Sequence, residues 1–145
     1  MKKFAIVGAI FALGVGVAFA DAIEDREALM KANGKAIGTL AAMAKGEKPF
    51  DAAVAKDALA TLEADTQKFD IAALFPEGSA TGKSEASPKI WENMADFTAK
   101  ADAWKKAVAD AVAANPQDVA ALGAQVGAIG KTCGACHEVY RIKKD

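Results

Sequence analysis

Cys133-Gly134-Ala135-Cys136-His137 gathers the reactive side chains of this chain into one short stretch. It uses both cysteines and the single histidine of the 145 residues. The pattern C-x-x-C-H is the attachment signature of c-type haem. Two thiols add to two vinyl groups as thioethers, and the adjacent imidazole coordinates the iron. The spacing suits a helix, where residues three apart share a face about one turn along the axis. Other uses of these residues fit less well. A redox dithiol expects a βαβ context, and none reads out of this sequence. Structural zinc takes four Cys or His ligands, and the chain offers three. A plain disulfide is what export would otherwise favour.

The elements that must position this motif come after an expected leader. Lys2 and Lys3 form a positive start, Phe4 to Phe19 an apolar run, and Ala18-Phe19-Ala20 a small-residue cleavage site. Residues 1–20 therefore read as a signal peptide and 21–145 as one domain. A membrane anchor fits less well, because the run is short and interrupted by Gly8, Gly14 and Gly16. Export together with haem c attachment points to a bacterial periplasm. The net charge is −1, or −3 without Lys2 and Lys3, which is not basic enough for nucleic acid.

Four segments show helical periodicity. The first spans about Ala22 to Lys45, with a stripe of Ile23, Arg26, Met30, Asn33, Ile37, Leu40 and Ala44. The second spans about Asp51 to Lys68, with Asp51 as N-cap and Val54, Ala58 and Leu62 on its stripe. The third runs from Pro88 to Ala114, with Ser87 and Pro88 as N-cap and first residue. Its stripe holds Ile90, Met94, Phe97, Ala101, Trp104 and Val108. The fourth runs from near Gln117 to about Lys143, with Val119, Leu122, Val126, Ile129, Cys133, Cys136 and Tyr140. Links are short except Asp70 to Ser87, which reads as an irregular surface loop able to fold over a cofactor edge. Together these predict an all-α, antiparallel up-down-up-down four-helix bundle. The haem would enter its interior near the C-terminal helix.

The helix pattern, Cys133 to His137 with Tyr140-Arg141 after it, Ser87 to Trp91, and Arg26 four residues before Met30 resemble the class II cytochromes c. That family holds the cytochromes c′ and the cytochromes c-556. Leu29 to Gly34 and Lys45 to Phe50 resemble the c-556 group. The resemblance covers the whole chain after the leader. It implies one covalent haem c, with Met30 as the sixth iron ligand opposite His137. It also implies that Arg26 pairs with a haem propionate and that a basic residue at Arg141 contributes to the iron's surroundings.

The residues themselves leave other readings beside these. Met is a common core filler, Met94 is the second candidate ligand, and Met43 reads as packing. A charge at Arg26 on an apolar stripe needs a partner, or it snorkels at the helix end. Arg141, one turn past His137, also suits the C-terminal end of a helix dipole. Glu27 would reach the haem edge through its backbone or stem. Thr81 in the long loop is a further candidate for a propionate. No catalytic residue is expected, since the chain has no second histidine for distal acid–base work.

The expected function is that of a periplasmic electron carrier acting with redox partner proteins. It has no membrane span once the leader is removed. The alternative is a five-coordinate cytochrome c′ that binds nitric oxide or another small gas. The resemblance also allows a homodimer through the faces of the first two helices.

Overall fold

The computed structural model describes residues 14–143; residues 1–13, with most of the expected leader, lie outside them. Four long helices form the bundle: α1 (Gly14–Ala44), α2 (Ala52–Lys68), α5 (Met94–Ala114) and α6 (Val119–Tyr140). Two single-turn helices, α3 (Ile71–Leu74) and α4 (Lys89–Glu92), lie between α2 and α5. Contacts run α1 to α2, α2 to α5, α5 to α6 and α6 back to α1, so the four helices close a ring. Among the described residues no helix is long and apolar enough to cross a membrane.

Local chemistry sets most of the helix ends. The Asp51 carboxylate accepts from the amides of Ala53 and Val54 and starts α2. Asp118 does the same for α6 by accepting from the Ala121 amide. At the end of α1, Gly46 adopts φ +75°. The Glu47 amide then reaches the Ala42 carbonyl and the Gly46 amide the Met43 carbonyl, a Schellman stop that favours glycine. Asn115, also left-handed, closes α5 just before Pro116.

The structure corrects several expectations. The third segment is not one helix from Pro88. Asn93, at φ −142° and ψ 62°, breaks it, and its side chain caps α5 by accepting from the Asp96 amide. Asparagine competes well for such caps and poorly for helix interiors. The last helix stops at Tyr140 instead of Lys143, because residues 141 and 142 turn extended and pair with the preceding loop. Helix α1 starts at Gly14 rather than near Ala22. Val54 and Val119 are exposed: each sits in the first turn of its helix, on the side away from the core.

The core holds Leu40, Leu62, Val108, Leu122 and Ile129, all essentially inaccessible. On α1 the apolar face is wider than the expected stripe. Leu29, Ala36, Leu40 and Met43 are buried in the core, whereas Met30, Asn33 and Ile37 face a cavity. An aromatic chain of Trp104, Phe69, Phe75, Phe97 and Tyr140, with ring centroids 4.9–5.7 Å apart, links α2, α5, α6 and the long loop.

That loop is not a surface loop. It contains α3, and Leu74, Phe75, Ser79, Ser84 and Ser87 are buried. Arg26, 4% exposed, holds it to α1. Its Nη1 donates to the Leu74 carbonyl (3.0 Å) and the Ser79 hydroxyl (2.8 Å). Its Nη2 donates to the Ser79 carbonyl (2.6 Å) and to the Ser84 hydroxyl. The guanidinium also lies 5.3 Å from the Phe75 ring centre. The Trp91 indole donates to the Phe75 carbonyl at 3.0 Å and ties α4 to the same segment.

Asn93→Ala removes the α5 cap and is expected to lower stability to urea by about 1 kcal/mol. Arg26→Met strands buried loop acceptors and is expected to cost about 3 kcal/mol. Hydrogen exchange checks the second case: the Ser79 and Ser84 amides should lose protection in Arg26→Met before those of α2 and α5.

Candidate functional site

The last turns of α6 carry Cys133, Cys136 and His137 along the wall of a cavity of about 530 Å³. That size lies within the roughly 300–1,000 Å³ common for small-molecule and cofactor sites. Helix α1 supplies Arg26, Glu27, Met30, Asn33 and Ile37 to the cavity, and α5 supplies Phe97, Lys100 and Trp104. Phe75, Glu85 and Ala86 reach it from the long loop. The site thus lies between helices at one end of the bundle, where such cofactor sites are usually built.

Both cysteines are free, half-buried and packed against the core. Burial pushes the Cys133 thiol up. It pushes Cys136 up to about 11, with Cys133 and Asp96 acting the same way and Lys100 opposing. Both are therefore protonated thiols at neutral pH. Partial burial, then the Arg141 charge, lowers the His137 imidazole, while Glu85 opposes this. His137 is thus held neutral at pH 7, the form with a lone pair for a metal.

The expected site residues fall into two groups. Cys133, Cys136, His137, Met30, Arg26, Glu27 and Arg141 all line the one cavity. Met30 is 37% exposed among them. Glu27 pairs loosely with Lys31 at 3.7 Å. Thr81 does not reach the cavity: it is exposed, and its carbonyl closes a turn with the Ser84 amide. Glu85 and Ala86, further along the same loop, arrive there instead. Arg26 reaches the wall, but its four terminal N–H groups are matched to loop acceptors. Its partners in this structure are the Leu74 and Ser79 carbonyls and the Ser79 and Ser84 hydroxyls of the loop. Met43 is core, as expected, and Met94 packs against the core without lining the cavity.

Tyr140 is buried, and its hydroxyl donates to the Asp96 carboxylate at 2.7 Å, which fixes the end of α6 against α5. Lys100, also on the wall, pairs with Asp96 at 3.7 Å. Lys100 and Glu85 are wall residues that sequence periodicity missed. Lys100 lies one turn beyond Asp96 and next to the Phe97–Trp104 face, which is the signal that would have found it.

The cavity fits a haem by its chemistry as well as its size. Its walls are mainly apolar and aromatic, two thiols sit one helical turn apart, and a neutral imidazole adjoins them. Comparison with known proteins gives the same answer. The family model described as Cytochrome C′ matches residues 21–141. A cytochrome c-556 of Agrobacterium fabrum is 46% identical over 94% of this chain and 87% of its own length. A cytochrome c′ of Rhodopseudomonas palustris is 40% identical over 98% of this chain and 97% of its own. The solved structure of a cytochrome c′ from Shewanella frigidimarina superposes with a TM-score of 0.79 at 35% identity, covering 86% of this chain and 97% of that one. The chain therefore belongs to the cytochrome c′ family of class II c-type cytochromes, four-helix bundles that carry covalently bound haem c.

Proposed function

We propose that this protein is a periplasmic one-electron carrier whose haem iron lies between His137 and Met30. The observation that carries the reading is that Met30 of α1 and His137 of α6 line one cavity, with both attachment thiols beside the histidine. The bound haem supplies a one-electron Fe(III)/Fe(II) couple. Cys133 and Cys136 hold it as thioethers at one edge. His137, with a free imidazole lone pair, would supply one iron ligand. The Met30 thioether would supply the second. A Met/His pair raises the reduction potential and leaves no exchangeable position for a substrate, which suits electron transfer. The apolar walls exclude water and favour the less charged ferrous state. Residues 1–20 act as an export leader in this reading, and the partners are periplasmic redox proteins.

A second reading has one observation in its favour. The exposure of Met30 leaves its side chain free to move aside. A nitric oxide complex has been solved for a variant of an Alcaligenes xylosoxidans cytochrome c′ that is 31% identical to this chain. In this reading the chain binds nitric oxide or another small gas in the sixth position.

Absorption spectra of the holo-protein with and without carbon monoxide separate the two. The carrier reading expects low-spin bands in both oxidation states and little carbon monoxide binding. Met30→Ala is then expected to turn high-spin and to bind carbon monoxide at least about tenfold more readily, the effect of roughly 1.4 kcal/mol of displaced ligand. High-spin native protein, unchanged by the substitution, contradicts the assignment of Met30.

A further inference from the structure

The segment 85–87 is stitched to the end of α6 by its main chain. The Ser87 amide donates to the Tyr140 carbonyl at 2.9 Å, and the Ile142 amide donates to the Glu85 carbonyl at 2.8 Å. Ala86 and Arg141 form an antiparallel bridge between them. This pairing sets the side chain of Glu85 beside that of Arg141, and Nε of Arg141 donates to Oε2 of Glu85 at 2.6 Å. Arg141 also caps the helix through its amide, which donates to the His137 carbonyl at 3.2 Å. Glu85, Arg141 and His137 share the cavity wall.

An exposed ion pair of this kind contributes little to stability. The side chains of Arg141 and Glu85 are 47% and 43% exposed. A fixed charge beside a redox centre acts differently, because it shifts the balance between two states that differ by one charge. Both charged side chains sit on the same cavity wall as the His137 ring.

We propose that Glu85 is a positioning residue for the haem centre: its carboxylate holds the Arg141 guanidinium beside the proximal histidine, offsets its positive charge, and so lowers the reduction potential. The resemblance pointed to Arg141 alone, and Glu85 sets how much of that charge reaches the iron. The sign follows from the charges. An unpaired Arg141 favours Fe(II), the state with one positive charge fewer. A Glu85 charge no longer offset by Arg141 favours Fe(III). The inference rests on His137 as the proximal iron ligand.

The test is a spectroelectrochemical titration of the holo-protein, comparing the native chain with Glu85→Gln, Arg141→Gln, the double variant and Glu85→Asp. Glu85→Gln keeps the side-chain size and the main-chain bond to Ile142. At a fixed electrode potential it is expected to raise the Fe(II) to Fe(III) ratio roughly threefold. Arg141→Gln is expected to lower that ratio by a similar factor. The double variant should fall between them, Glu85→Asp should stay near the native value, and added salt should shrink all the shifts. Two results overturn the proposal: no shift in Glu85→Gln, or shifts of the same sign in both single variants. Hydrogen exchange at the Ser87 and Ile142 amides is the second readout. Unchanged protection in Glu85→Gln supports a charge effect, and faster exchange assigns the shift to loosening of the segment and overturns it. The absorption spectra of the same samples report histidine ligation independently. A native protein without a histidine-ligated c-type spectrum contradicts the ligand reading. A normal spectrum with an unmoved potential contradicts only the role of Glu85.

Discussion

Everything in this bundle answers to one constraint: two thiols and an imidazole at the end of α6 must face a cavity wide enough for a flat cofactor. A four-helix bundle ordinarily gains its stability by packing helices directly against one another. Here the direct packing is concentrated around Leu40, Leu62, Val108 and Leu122. At the cavity, Met30 of α1 and His137 of α6 both face the open space rather than each other's helix. Walls that border a cavity need support from a third element.

The long loop does that fixing. It crosses beside the cavity and is gripped by Arg26 of α1 and by Arg141 at the end of α6. Arg26 of α1 reaches into its middle and satisfies the Leu74 and Ser79 carbonyls and two serine hydroxyls. Arg141, just past α6, meets its far end through Glu85 and through main-chain pairing. The two contacts differ in kind. The first is buried and saturated with hydrogen bonds, so breaking it leaves polar groups stranded. The second is solvated and contributes mainly a local field.

How much of this could be read in the sequence follows from range. The C-x-x-C-H spacing, the Asp51 cap and the helical periodicity are local signals, and the structure carries all of them. The cavity face of α1 was also legible, since Met30 and Ile37 share a stripe. What escaped depends on contacts distant in the chain. The acceptors of Arg26 lie 48–58 residues away. A lone charge on an apolar stripe announces a partner without saying which. Thr81 looked as good as its neighbours, because the order of exposed and buried residues in a loop has no period. The break at Asn93 was hidden by the strong N-terminal signal of Ser87 and Pro88, which starts only the single turn of α4 from Lys89, with Pro88 at its N-cap, and does not extend to α5. Comparison with relatives supplies the family and the haem. It leaves the sixth ligand open, because the relatives include both a cytochrome c-556 and cytochromes c′.

The measurement that bears most directly on this account is X-ray absorption at the iron edge of the holo-protein, in both oxidation states. The fine structure counts sulfur neighbours of the metal without relying on spin state or on any substitution. Among the described residues Met30 is the only methionine on the cavity wall, and thioether sulfurs at Cys133 and Cys136 would bond to the haem periphery and not to iron. The account predicts one sulfur neighbour in each state, with nitrogen in the remaining positions. An iron with nitrogen neighbours alone, or nitrogen and one oxygen, contradicts it and makes the protein an open-site cytochrome c′.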